Sequence, residues 1–141
     1  MSAWRLSGCA AVLAAALLLP GLAGAEGVDA PLDGLIGDAN RGRAIVTDRR
    51  KGLCLLCHSG PFPEERFHGN LAPSLAGAGA RLSEAELRLR VIDSRRINPV
   101  SIMPAYQKTE GLHQVAAPYR NKPILSAQEV EDVIAFLKTL R

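Results

Sequence analysis

Aromatic side chains are scarce in this chain, which has three Phe, two Tyr and one Trp among its 141 residues. Small domains bury a modest fraction of their surface, and many need a crosslink, a metal or a cofactor to complete their core. The chain also lacks a strong excess of one charge, since it has 17 basic and 14 acidic residues, and the basic ones lie scattered along it. A nucleic-acid-binding protein is therefore not indicated, and the length allows one domain.

A long hydrophobic run is missing as well. The longest apolar stretch, 9–22, is shorter than the roughly 20 residues that a membrane-spanning helix needs. It follows Arg5 and leads to the small residues Ala-Gly-Ala, which is the pattern of a secretory signal peptide. We expect residues 1–25 to be cleaved and residues 26–141 to form the domain in the periplasm. An uncleaved anchor, or a lipid attached to Cys9, fits these flanks less well.

Cysteine is rare too, and only Cys54 and Cys57 lie in the expected mature chain. With His58 they form C-x-x-C-H, the attachment signature of c-type haem. Two thiols at this spacing can reach two vinyl groups on one edge of a porphyrin. The next residue then lies beneath the iron, for which imidazole is a good axial ligand. The motif and the export signal together predict one covalently bound haem c.

Three other kinds of site share part of this motif. A redox-active C-x-x-C is typical of a βαβ context, which is not evident upstream. A structural zinc site needs further ligands at metal-binding spacing, and the mature chain has no other cysteine. A disulfide between Cys54 and Cys57 would suit an oxidising compartment but gives His58 no role.

The second axial iron ligand has three candidates. Met103 is the only methionine besides Met1, and Pro104 after it disfavours helical geometry and predicts an extended loop. A thioether suits haem iron and raises its reduction potential. His68 and His113 lie in polar, glycine-containing stretches that are typical of a surface. We therefore favour Met103, with His113 as the second choice.

Pro73 is a candidate for orienting the histidine ligand. A ligating histidine usually donates its other N–H to a carbonyl or carboxylate, which fixes the ring. Pro73 follows a loop of suitable length to turn back under the haem and reach His58, although it could also serve only to rigidify that loop. Because two axial ligands leave the iron no open position, we expect no catalytic residue in this chain.

Three helices are predicted from residues that can cap their N-termini. Residues 38–48 begin with an aspartate that can cap a helix. Ser83 and Ser126 each stand three residues before a glutamate, which makes two capping boxes, and an amphipathic stripe runs from the second to the C-terminus. The segments 59–81 and 104–123 lack periodicity and are expected to be loops. These elements predict an all-α domain whose long loops pack on a cofactor.

This order of elements resembles the class I cytochromes c, which have an N-terminal helix, C-x-x-C-H, a Pro-Leu-like segment, a methionine loop and a C-terminal helix. The resemblance implies that the terminal helices cross closely at a glycine and that loops wrap one haem. Gly42 and Phe136 look like the contact pair. The chain departs from the family at Val46, where an aromatic residue is common.

Three further segments, in matching order, resemble the SoxX family, the monohaem subunits of the SoxAX complexes of bacterial sulfur oxidation. They are FHGNLAPSL (67–75), INPVSIMPAY (97–106) and KPILSAQEVEDVIAFL (122–137). The resemblance implies a heterodimer with SoxA, which as a whole would act as an L-cysteine S-thiosulfotransferase. Thiosulfate would be joined oxidatively to a cysteine of the carrier SoxYZ at the SoxA haem.

In such a complex this chain would carry electrons and perform no catalysis itself. The resemblance implies that Cys54 and Cys57 hold its haem and that His58 and Met103 bind the iron. It would accept the released electrons and pass them to a downstream cytochrome. Two alternatives stay open: a free-standing periplasmic electron carrier, and a small haem enzyme such as a peroxidase with a displaceable ligand.

Overall fold

A computed structural model describes residues 26–141; the predicted signal peptide, 1–25, lies outside the described residues. The described part contains the helices α1 Ala39–Thr47, α2 Ala78–Arg81, α3 Glu84–Asp93 and α4 Ala127–Thr139. Short 3₁₀ turns lie at Leu32–Gly34, Cys54–Leu56, Ser94–Arg96 and Ala117–Tyr119. Over these residues there is no strand, and extended backbone pairs in one isolated bridge, between His58 and Ala72. The predicted all-α fold class is confirmed.

The three predicted helices begin at the residues whose side chains cap them. Asp38 accepts a hydrogen bond from the Arg41 N–H at 2.8 Å, at the start of α1. Ser83 and Ser126 form complete capping boxes, each with the glutamate three residues later. Each cap satisfies N–H groups that have no partner inside the helix. None of the helices described is long and apolar enough to cross a membrane.

The core lies where the terminal helices α1 and α4 cross. Gly42 and Phe136 meet there, as the resemblance implied, because a Cβ atom on Gly42 would lie 2.8 Å from the Cβ of Phe136. Val46, at the position where the family often has an aromatic residue, is 1% exposed. The crossing therefore depends on one residue without a side chain and on apolar residues packed around it.

A buried carboxylate fastens the start of α1 to α4. Asp132 accepts hydrogen bonds from the Asp38 N–H at 2.8 Å, the Arg41 Nε at 2.7 Å and the Gln128 side-chain amide at 2.9 Å. Burial alone would raise the pKa of the Asp132 carboxyl, but the bonds from Arg41, Asp38 and Gln128 outweigh burial and hold that pKa below its usual value. The pair of terminal helices is thus fixed by polar as well as apolar contacts.

The segment 59–81, expected to be a loop throughout, ends in the short helix α2. This one-turn helix packs on the end of α4, where the Gly79 N–H donates to the Leu140 carbonyl at 2.8 Å and Lys138 Nζ donates to the Gly79 carbonyl at 3.2 Å. A single turn is too short to show a hydrophobic period, and its glycine argues against a helix. Contacts with α4 therefore stabilise this helix, although its local sequence does not favour one.

Candidate functional site

The C-x-x-C-H motif lies on a tight turn anchored in the core. The residues Cys54–Leu56 form a 3₁₀ turn, and the His58 N–H donates to the Cys54 carbonyl at 2.9 Å. Side chains three residues apart eclipse one another in a 3₁₀ turn, so Cys54 and Cys57 fall on one side. Leu55, between them, is 1% exposed and buried in the core. The turn therefore presents both thiols to the same cleft.

The cysteine thiols do not resemble those of a redox-active pair. Both are free in the structure, and burial raises the pKa of the Cys54 thiol to about 11. Redox-active and nucleophilic cysteines have lowered pKa values, because the thiolate is the reactive form. The Cys54 Sγ lies 3.3 Å from the Gly52 carbonyl, which accepts from a thiol. The thiol chemistry here does not favour a thioredoxin-like function.

The His58 ring is oriented by a backbone carbonyl. Its Nδ1 lies 2.6 Å from the Pro73 carbonyl oxygen, the neighbour that the sequence suggested. Because a carbonyl only accepts hydrogen bonds, Nδ1 must carry the proton, which leaves the lone pair on Nε2. This is the tautomer in which an imidazole can bind a metal through Nε2.

Pro73 is held in place by the chain that runs beside the motif. The Ala72 N–H donates to the Cys57 carbonyl at 3.0 Å, and the Leu75 N–H donates to the Ser59 carbonyl at 2.8 Å. Gly69 begins this pairing, and a Cβ on Gly69 would lie 2.1 Å from the Leu56 carbonyl oxygen, so no larger residue fits there. The segment and the motif thus form one rigid unit.

Arg81 supports the same segment from α2. Its guanidinium donates to the Ser74 carbonyl at 3.0 Å and to the Ala76 carbonyl at 2.5 Å, directly after Pro73. An arginine has five donors in a fixed planar arrangement, so it can bind two backbone carbonyls of one loop at once. Sequence reasoning missed this residue, because its partners are backbone atoms of a loop.

Met103 lines the same cleft as the motif and lies on a loop that returns to α3. The Tyr106 N–H donates to the Val91 carbonyl at 3.2 Å, and the Gln107 N–H donates to the Ile92 carbonyl at 3.3 Å. Met103 itself is partly buried and packs against the core cluster. The structure has no helix or strand at residues 101–105, so Met103 lies on a loop, as expected.

A cleft of about 570 Å³ is lined by all four residues that the sequence selected around the iron, Cys54, Cys57, His58 and Met103. The rest of its wall is largely apolar and includes Val46, Leu71, Leu75, Leu87, Val91 and Leu137. Cofactor sites are clefts of this size, with apolar walls and a few convergent polar groups. Two free thiols on one turn, a histidine with Nε2 available and a facing thioether fit a haem.

The other two histidines lie away from this cleft. His113 is exposed and does not line it. His68 packs edge-on against Phe62, with ring centroids 6.0 Å apart, and its Nδ1 accepts from the Gly60 N–H at 3.3 Å. Among the three candidates for the second axial position, Met103 is thus the one that lines the cleft.

Comparison with known proteins decides the family. The cytochrome c family profile matches residues 39–141. The chain belongs to the cytochrome c family. A chain in the crystal structure of SoxXA from P. pantotrophus is 37% identical to this cytochrome, with a TM-score of 0.75 over 82% of this chain and 90% of that one. No curated protein matches the sequence.

The expected SoxX-like, class I monohaem fold is thereby confirmed, and with the family comes covalently bound haem c as the cofactor of this cytochrome. Cytochromes c transfer electrons, so electron transfer is its function.

Tyr106 is a site residue that sequence reasoning missed. It is 3% exposed, and its hydroxyl donates to the Gly52 carbonyl, which ties the Met103 loop to the segment before Cys54. Its place at the end of the segment 97–106, which resembles the SoxX family, was a signal for it.

Proposed function

We propose that this cytochrome is the electron-accepting subunit of a periplasmic, SoxXA-type heterodimer. Its haem would be held through Cys54 and Cys57, with His58 and Met103 as the axial ligands. The observation that carries the proposal is the single cleft lined by these four side chains, in a chain 37% identical to one in SoxXA. The partner would be a SoxA-like cytochrome.

The residues of this chain set the conditions for electron transfer. Bound haem supplies one iron that takes up and releases a single electron. The Pro73 carbonyl keeps the His58 ring in one orientation, and the apolar wall around it excludes water. An apolar surrounding and a thioether ligand both favour the reduced iron and so raise the reduction potential. If His58 and Met103 both bind the iron, a substrate would have no open position on it.

Bond formation would then belong to the partner subunit. Joining thiosulfate to a SoxYZ cysteine forms a sulfur–sulfur bond and releases two electrons and the thiol proton. A monohaem chain accepts these electrons one at a time and must pass the first to a downstream cytochrome before it takes the second. This balance explains why a carrier without a substrate site would be part of the complex.

An exposed aromatic residue beside the haem-binding motif favours the subunit over a free-standing carrier. Phe67 is 77% exposed and does not line the cleft. It lies two residues before Gly69, whose N–H donates to the Leu55 carbonyl between the two cysteines at 2.8 Å. Aromatic residues are enriched in protein–protein interfaces. We propose that the SoxA-like partner covers Phe67.

Co-expression with a tagged SoxA-like cytochrome from the same organism tests the partnership. We expect a stable one-to-one complex, and we expect Phe67→Ser to weaken it by about tenfold, because an aromatic anchor at an interface is commonly worth more than 1 kcal/mol. Phe67 does not line the cleft, so haem content should not change. Ile36→Ser is the control, since Ile36 is 88% exposed and also outside the cleft. Isolation as a monomer without affinity for the partner would instead favour a free-standing carrier.

The oxidised visible spectrum tests the axial ligands. The wild-type protein should show a weak far-red band from sulfur-to-iron charge transfer, and Met103→Ala should abolish it and lower the reduction potential. Covalent haem content should be the same, because the thioether bonds remain. His113→Ala is the control and should keep the band. Loss of the band in that variant, or its survival in Met103→Ala, contradicts the assignment, and a high-spin wild-type spectrum would indicate a haem enzyme with an open site.

A further inference from the structure

Serine side chains bind both backbone polar groups of Met103. The Met103 N–H donates to the Ser101 Oγ at 3.3 Å, and the Ser94 hydroxyl donates to the Met103 carbonyl at 3.4 Å. The two hydroxyl oxygens lie 2.8 Å apart. The bond from Met103 to Ser101 spans two residues, as in the turns that serine side chains commonly form.

One assignment of the hydrogens satisfies all three bonds. A serine hydroxyl has one hydrogen to donate. In this assignment Ser94 places its hydrogen on the Met103 carbonyl, and Ser101 donates in the bond between the two serines, where either oxygen can be the donor. The bonds therefore run from the Met103 N–H to Ser101, from Ser101 to Ser94, and from Ser94 back to the Met103 carbonyl. Hydrogen bonds in such a closed circuit polarise and strengthen one another.

Ser94 is attached to the well-packed helix α3, whereas Ser101 and Met103 lie on a loop with few bonds to the rest of the fold. Ser94 directly follows α3 and is 7% exposed, while α3 is held in the core by Leu87 and Val91. In contrast, the backbone from 99 to 104 bonds only locally, and the next backbone bond to α3 comes from Tyr106. Arg95 adds a bond from its Nε to the Ser101 carbonyl at 3.3 Å. The two hydroxyls are thus the main polar link between Met103 and the fixed helix.

We infer that Ser94 and Ser101 form a hydroxyl latch that positions the Met103 thioether in the cleft. They are positioning residues, since they act through the backbone of Met103. The inference rests on the proposed function for the role of Met103 as an iron ligand. It adds that these two serines set how easily an external ligand displaces Met103.

Imidazole binding to the oxidised holoprotein measures this displacement. We expect Ser94→Ala and Ser101→Ala each to raise the apparent imidazole affinity by about tenfold, because each leaves a partly buried polar group without its partner. The double variant should resemble the single ones, since either substitution opens the circuit. Ser101→Thr keeps the hydroxyl and should bind imidazole like the wild type. Thr139→Ala, which removes a hydroxyl outside the cleft, is the control and should not change the affinity.

Amide hydrogen exchange at Met103 provides a second readout that needs no iron–sulfur bond. Exchange should be about tenfold faster in Ser94→Ala and Ser101→Ala than in the wild type or Thr139→Ala. If wild-type protein lacks the sulfur-to-iron band, the assignment of Met103 in the proposed function fails, and the exchange rates alone decide the latch. Unchanged exchange overturns the latch in either case. Unchanged imidazole affinity in a wild type that shows the band overturns it as well.

Discussion

Replacing Gly42 by alanine is expected to destabilise the domain by about 3 kcal/mol, because it forces the terminal helices apart. A Cβ on Gly42 would lie 1.9 Å from the Asp132 carbonyl oxygen and 2.5 Å from its carbonyl carbon. Both are backbone atoms of α4, so no side-chain rotation can relieve the collision. The gain in helix propensity from glycine to alanine, about 1 kcal/mol, is too small to offset this cost.

Equilibrium denaturant unfolding of the holoprotein measures the effect. Gly34→Ala is the control, because Gly34 has a φ of +67° but nothing within 4 Å of its Cβ position. That substitution should cost about 1 kcal/mol, from backbone strain alone. If Gly42→Ala cost no more than Gly34→Ala, the close crossing of α1 and α4 would be wrong.

Features whose signal lies within a few residues could be predicted from the sequence. Ser83 and Ser126 each reach a glutamate three residues away, and C-x-x-C-H is contiguous. In α3 the apolar residues alternate as in a strand, and the capping box correctly favoured a helix. Leu87, Arg88 and Leu89 are all buried there, because α3 is covered on more than one side. The apolar residues of α3 alternate because the helix is buried on more than one side, and not because the segment is a strand.

Features that depend on distant contacts could not be predicted. The bond from Tyr106 to Gly52 joins residues 54 apart, and α2 exists because it packs on α4. Composition and local motifs carry no information on such pairs without a known fold. The resemblance to class I cytochromes supplied the crossing at Gly42 for that reason. The signal peptide lies outside the described residues and stays a prediction.

A second large effect is expected at the buried ion pair that joins α3 to α4. The Arg88 side chain is 2% exposed and the Glu131 side chain 4% exposed. Arg88 Nε donates to Glu131 Oε1 at 2.8 Å, and Nη2 donates to Oε2 at 3.0 Å, which makes a two-pronged contact. Charges this deeply buried lose their hydration, so each depends on the other for compensation.

The same pair also holds the N-terminal segment that precedes α1. Arg88 Nη1 donates to the Val28 carbonyl at 2.7 Å, and Glu131 Oε1 accepts from the Leu32 N–H at 3.0 Å. Residues from the first part of the described chain thus bind to both helices through these two side chains. Loss of the pair should therefore loosen this segment as well as destabilise the core.

Glu131→Ala is expected to lower the free energy of unfolding by about 3–5 kcal/mol, because it leaves the buried Arg88 guanidinium with only the exposed Glu84 carboxylate, 4.0 Å away, as a counter-charge. The double variant Arg88→Met/Glu131→Leu should be more stable than Glu131→Ala, since it removes both charges and fills the space with apolar atoms. It should not reach wild-type stability, because the Val28 carbonyl and the Leu32 N–H lose their partners. Denaturant unfolding of Arg88→Met, Glu131→Leu and the double variant measures the coupling.

The ion pair between Lys51 and Glu129 is the matched control, since its side chains are 46% and 24% exposed. Lys51→Met keeps the capping box of α4 and should cost less than about 1 kcal/mol, as solvent-accessible pairs generally do. Faster proteolysis near residue 28 in Glu131→Ala, but not in Lys51→Met, would show that the N-terminal segment is released. Small costs for Arg88→Met and Glu131→Leu, with no coupling in the double variant, would mean that each charge finds water or another partner. The pair would then not hold the N-terminal segment.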